Sequence, residues 1–247
     1  VIKAGVYGLI RILALVLHPA SINWVVLVVV LAIFASLTMT VGNVMALLQN
    51  DIKRLLAFSS VAQIGYITLA LSVGLFGGKI GVYGLASGLL HVMNHAIMKG
   101  LLFLCAGAII HAAGTRDLRE LTGVGHKMIG TAVILTIGAL AISDVPPFNG
   151  FVSEFAILLA TLNAGMGLFA AIMLANIIIG FSYYLKLLYI LVWQSPKENL
   201  VNVKEAPFLM LLPMGILAAL CIVIGLWPQP FIDFAFKAAR SALNITA

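Results

Sequence analysis

Seven apolar stretches, at about 2–17, 22–48, 55–76, 80–112, 129–163, 166–193 and 206–227, follow one another with short polar connections. Most are long enough to cross roughly 30 Å of hydrocarbon, which takes about 20 residues in a helix. Inside hydrocarbon every backbone N–H and C=O must be satisfied within the chain, so such stretches are confined to helices or closed barrels. The runs are continuous rather than alternating, which excludes a barrel of short strands. With 63% hydrophobic and 9% charged residues, the composition leaves no room for a water-soluble domain. The expected fold class is therefore all-α: a polytopic membrane helix bundle of about seven transmembrane helices, one of them broken.

The net charge of +6 comes largely from loop residues, where Lys and Arg orient a membrane protein, so nucleic acid is not an expected partner. Lys53, Arg54, Arg116, Arg119, Lys127, Lys197 and Lys204 fall on one side, and Lys79, Lys237 and Arg240 on the other. That bias predicts a cytoplasmic location for the first set and a C-terminus outside. Cys105 and Cys221 lie inside apolar runs with no CxxC or other metal-ligand spacing, and read as packing residues. The start "VIKAGVYG" has no charged n-region followed by a cleavage site, so no removable signal peptide is expected. Residues 1–228 read as one transmembrane domain and 229–247 as a short tail. Phe231, Phe234 and Phe236 with Asp233, Lys237 and Arg240 fit an amphipathic helix along the interface as well as a frayed end.

Ionisable groups inside a span cost at least about 2.5 kcal/mol each on insertion scales, so they face a bundle interior or water. Lys3, His91, His95, Lys99 and Glu154 are the candidates. Arg11 and Lys186 lie near helix ends and can snorkel. In "HVMNHAIMKG", His91, His95 and Lys99 fall at i, i+4 and i+8, a column of about 12 Å on one helix face. A hydrogen-bonded pair, a metal site, ligands to separate haems and a proton relay all use such histidines. "HVMNH" lacks the Glu of the zinc-protease signature, whereas histidine titrates near neutrality, which favours the relay. No resident metal is expected.

The fifth stretch is interrupted by "SDVPPFNG", where Pro146, Pro147 and Gly150 cannot continue a regular helix. Two half-helices are expected, with Asp144 at the break as a cap or loop contact. Glu154 follows Gly150 by four residues, in what reads as the first turn of the second half-helix. There the helix dipole favours its charge and burial opposes it. Broken helices at mid-membrane are how many transporters build ion sites, although a kink serving only packing has the same sequence signature.

"VIKAGVYGLIRI", "NDIKRLLAFSSVAQIGYITLAL", "HVMNHAIMKGLLFLCAGAIIH" followed by "TRDLREL", and "DVPPFNGFVSEFAIL" occur in that order. The chain thereby resembles, from Val1 to about Trp227, the antiporter-like membrane subunits. These occur in respiratory complex I, in membrane-bound hydrogenases and related ferredoxin- or F420-linked complexes, and in multisubunit sodium/proton antiporters. The resemblance implies a fold of about fourteen helices built from two inverted repeats, each with a broken helix forming half a proton channel. By that resemblance this chain carries the last helix of the first repeat, the second repeat and one further helix. Lys3 matches the family's central-helix lysine, His91, His95 and Lys99 its histidine–lysine column, and Glu154 the position after the second break. The first-repeat Glu–Lys pair of the family has no counterpart in this sequence.

The resemblance implies an ion-translocating subunit, moving H+ with a possible Na+ linkage, of a redox-driven complex of the NADH-, ferredoxin- or F420H2-dehydrogenase or hydrogenase type. Protons would follow a line Lys3, His91/His95, Lys99, Glu154. Flavin, iron–sulfur or nickel–iron centres are expected only in hydrophilic partner subunits, with no cofactor in this chain, and other membrane subunits are expected partners. A multisubunit Na+/H+ antiporter subunit without a redox partner and a transport-inactive scaffold are the alternatives. The expected location is the inner (plasma) membrane of a prokaryote rather than of a mitochondrion.

Overall fold

The computed structural model describes residues 24–243, with Ala4, Gly5 and Gly8 ahead of them. Lys3, Arg11 and most of the 2–17 stretch thus lie outside the described residues. From Trp24 onward eight α-helices follow: α1 Trp24–Leu47, α2 Ile52–Gly74, α3 Gly78–Ala113, α4 Ile129–Ile142, α5 Asn149–Asn163, α6 Gly167–Leu188, α7 Phe208–Leu226 and α8 Gln229–Ala242. α6 runs on through a π-helical turn, Tyr189–Trp193. Among the described residues five helices, α1, α2, α3, α6 with its π turn, and α7, are long and apolar enough to cross a membrane.

The broken helix is present. α4 has 14 residues and α5 has 15, which at 1.5 Å per residue makes each about 21–23 Å, short of the hydrocarbon thickness. Between them the backbone of Asp144 turns left-handed, with φ of 58°, a conformation Asp tolerates better than most residues. The two prolines that follow bring no N–H to continue the helical ladder. Asn94 of α3 donates its Nδ2 to the Asn149 carbonyl at 2.8 Å and so ties the break to the middle of the bundle.

α2 contributes to all three apolar cores and is buried along most of its length. One core joins α2, α3, α4, α6 and α7 through residues such as Leu55, Leu101, Leu135, Leu187 and Cys221. A second joins α1, α2, α5 and α6 through Met39, Tyr66, Ile157 and Met173. The third lies between α2, α3 and α8. α1 and α7 keep long apolar faces outward, Val25, Ile33 and Phe34 on one and Leu209, Ile216 and Val223 on the other, as a lipid-facing helix does. α8 is a formed helix rather than a frayed end. Ala235 and Ala239 are buried, and Phe236 meets Tyr83 of α3 edge-on at 5.1 Å between ring centres.

The loops containing Asp51, Arg116–Lys127 and Lys197–Lys204 gather at one end of the bundle. Ile52 N donates to Arg116 O, Leu118 N to Asn50 O, and Lys197 N to Thr122 O. Glu205 closes this end by reaching the start of α4, where its carboxylate accepts from Gly130 N at 2.6 Å and from Thr131 Oγ1 at 2.7 Å. Burial acts to raise its pKa, but the hydrogen bonds from Thr131, Ala206 and Gly130 outweigh it and hold the group below its usual value. A lowered folded value means that the contribution of Glu205 is full above the ordinary glutamate range and fades as pH falls through the lowered one. Glu205→Gln should cost about 1 kcal/mol, as the loss of a helix N-cap does. Its thermal unfolding in detergent should also depend less on pH across that acid window than the wild type's does.

Candidate functional site

α3 presents its polar column in mid-bundle. His91 and His95 are 0% exposed and Lys99 is 2% exposed. The two imidazoles lie nearly parallel, 12° apart in plane, with centres 6.1 Å apart, as residues four apart on a helix face allow. Lys99 Nζ donates to Leu56 O at 3.1 Å, to Tyr184 Oη at 2.9 Å and to Ser59 Oγ. Tyr184 in turn donates to Ser59 Oγ at 3.0 Å, so α2, α3 and α6 meet at this lysine.

At the other end of the column stands Glu154, 1% exposed. Gln63 of α2 donates its Nε2 to Glu154 Oε1 at 2.9 Å and places its Oε1 2.6 Å from His91 Nε2. Ser153 Oγ lies 2.9 Å from His91 Nδ1. With Glu154 ionised, its carboxylate only accepts, so the amide nitrogen of Gln63 faces Glu154 and its carbonyl calls for a proton on His91 Nε2. The second ring nitrogen faces a hydroxyl that serves either state. Ser153 donates to a neutral His91, or accepts from the imidazolium while donating to the Asn149 or Gly150 carbonyl, at 3.3 and 3.1 Å. This geometry holds His91 in both protonation states without moving a backbone atom.

The break adds further polar groups. Asp144, at the break, is near enough to Glu154 for the two carboxyls to interact electrostatically. Asp144 Oδ1, Glu154 Oε2, Asn94 Oδ1 and both polar side-chain atoms of Asn149 find no hydrogen-bond partner among the described residues. Buried polar atoms of this kind are where proteins hold internal water. A second polar cluster ties α1, α2 and α6 together: Asn43 donates to Tyr66 Oη at 3.2 Å and to Asn176, and accepts from Tyr183 Oη at 3.0 Å. Tyr66 touches His91 edge-on, with ring centres 6.5 Å apart. Among the described residues no group of three or more His, Cys, Asp or Glu side chains is placed to hold a metal ion.

Comparison with known proteins bears on this arrangement. The family model for the transmembrane region of NADH:quinone oxidoreductase and Mrp antiporter subunits matches residues 1–180. The chain belongs to this family. It is 31% identical over 246 residues to F(420)H(2) dehydrogenase subunit N of Methanosarcina mazei, covering 96% of this chain and 48% of the relative. It is 33% identical over 264 residues to Na(+)/H(+) antiporter subunit A1 of Staphylococcus aureus, covering 99% of this chain and 32% of the relative. A chain of the membrane-bound sulfane sulfur reductase, an archaeal respiratory membrane complex, superposes with a TM-score of 0.86 at 33% identity, over 98% of this chain and 47% of that one. The chain therefore spans about half, or less, of the length of the relatives it matches. It is a membrane-embedded, multi-pass antiporter-like subunit, and these relatives work in multisubunit membrane complexes.

Of the five residues singled out in the sequence, His91, His95, Lys99 and Glu154 come together in one buried zone, while Lys3 lies outside the described residues. Two details differ from the sequence reading. Glu154 is the sixth residue of α5, in its second turn, where the helix dipole has largely faded. It also adjoins His91, at 3.8 Å from Nε2, rather than following Lys99, so the spatial order is Lys99, His95, His91, Glu154. Gln63, Ser59, Ser153 and Tyr184 were not picked out. Ser59 and Gln63 stand four residues apart on α2 and so share one helix face, and that spacing is the signal that finds two of them.

Proposed function

We propose that this chain forms an ion-translocating half-channel in a redox-driven respiratory membrane complex, and that protons move between Lys99 and Glu154 through His95 and His91, with Lys3 as a further carrier. The observation that carries the reading is the buried His91–Gln63–Glu154 bridge beside a broken helix, with a hydroxyl that serves His91 in either charge state. A charge arriving at one end of such a line shifts the balance at the next group by Coulomb coupling, which is strong where the effective dielectric is low. Flavin, iron–sulfur or nickel–iron chemistry would reside in hydrophilic partner subunits, and other membrane subunits would be its neighbours. The chain would lie in the plasma membrane of a prokaryote, and the excess of Lys and Arg in the loops at the Asp51 end supports an orientation with that end in the cytoplasm and the C-terminus outside.

A sodium/proton antiporter subunit without a redox partner is the second reading, favoured by 33% identity to such a subunit over 99% of the chain. A transport-inactive scaffold gives no reason for keeping four ionisable side chains at 0–2% exposure. Purification of the native complex in mild detergent, with its visible absorbance and the masses of all its chains, separates the readings. Iron–sulfur absorbance and proton uptake driven by an electron donor are expected. A colourless assembly whose proton uptake answers only to an imposed sodium gradient would replace this reading with the antiporter.

A further inference from the structure

Gln63 is 4% exposed on the most enclosed helix, and its side chain is the bridge between His91 and Glu154. An amide is a poor link for a proton. Its N–H is not acidic in this range, and passing a proton from carbonyl to nitrogen would leave the side chain as an imidic acid. The two hydrogen bonds of Gln63 therefore hold His91 and Glu154 in line while interrupting transfer between them. The direct separation, His91 Nε2 to Glu154 Oε1, is 3.8 Å. That is about 1 Å beyond a charge-assisted N–H···O bond, a gap that a side-chain rotation closes without helix motion.

We propose that Gln63 is a gate: with its amide between them His91 and Glu154 are insulated, and when the amide swings aside His91 Nε2 meets Glu154 directly and the proton crosses. The inference rests on the proton-translocating reading above. In the step itself the Nε2–H bond of the His91 imidazolium breaks and leaves its electron pair on nitrogen, and an O–H bond forms on the Glu154 carboxylate. His91 is left neutral with its proton on Nδ1, donating to Ser153 Oγ at 2.9 Å, the opposite tautomer to the one that the bridging Gln63 carbonyl holds. No electron changes hands. Gln63 is thus a positioning residue whose removal opens the path rather than closing it, the opposite of what loss of a proton carrier does.

The test uses sealed inverted vesicles containing the native complex, with neither electron donor nor sodium gradient, and follows proton entry after an external pH step. Gln63→Glu puts in a side chain of the same size that does pass protons, and passive entry should rise about 100-fold, the lower end of what one positioned proton-transfer group contributes. Gln63→Ala, which opens room for water between the two groups, should leak as well, and serves if the Glu variant does not assemble. The leak should vanish in the Gln63→Glu, Glu154→Gln double variant. An assembled Gln63→Glu complex as tight as wild type, or a leak that survives in the double variant, overturns the gate. Full driven transport in Glu154→Gln alone overturns instead the functional reading on which the gate stands.

Discussion

Replacing Glu154 by Gln should leave the complex assembled and reduce proton translocation by about 100-fold or more, the scale on which a positioned acid or base contributes to proton transfer. The two side chains have the same shape, and the Gln carbonyl can still accept the Gln63 amide hydrogen that reaches Glu154 Oε1 at 2.9 Å. Packing in the second turn of α5 is thereby preserved, and only the capacity to take up and release a proton is lost. Glu154→Asp keeps the carboxyl but retracts it by one methylene from Gln63 and His91, and should transport at an intermediate rate. Proton uptake by sealed vesicles, normalised to subunit content, distinguishes these outcomes. Wild-type uptake in the Gln variant would remove Glu154 from the pathway.

The second large effect is steric. A Cβ placed on Gly150 would collide with the Ala141 carbonyl oxygen and would stand 3.1 Å from Met98 Sδ. Ala141 is near the end of α4 and Gly150 is the second residue of α5, so this glycine lets the start of the second half-helix lie against the end of the first. The obstacle is backbone, which cannot rotate out of the way as a side chain can. Gly150→Ala should therefore cost about 1–3 kcal/mol or more and displace Ser153 and Glu154, which ride on the same helix. Lower thermal stability in detergent together with reduced translocation is the expected pair of results. Full stability and full activity together would show that the break accommodates the methyl group.

These two residues also mark how far the sequence could be read. Gly150 and the prolines before it announce a broken helix because their effect is local: a missing N–H and a missing Cβ act on the adjacent turns, whatever surrounds them. The column on α3 is legible for the same reason, since a helical period of 3.6 puts His91, His95 and Lys99 on one face before any partner is known. The spans from Trp24 onward followed from the solvent, because hydrocarbon admits only segments that satisfy their own backbone.

Partners are a different matter. His91 is bridged by Gln63, 28 residues away, and by Ser153, 62 residues away, and Gln63 meets Glu154 across 91 residues. Side-chain spacing along one helix carries no information about which face of another helix lies opposite, nor about the order in which groups on different helices follow one another. The sequence by itself determined an all-helical membrane bundle, its break and the burial of His91, His95, Lys99 and Glu154, since each depends on hydrophobicity, periodicity or backbone chemistry within a few turns. Only the tertiary structure decided that Glu154 faces His91 through an amide rather than continuing from Lys99, because that order depends on how α2, α3 and α5 pack.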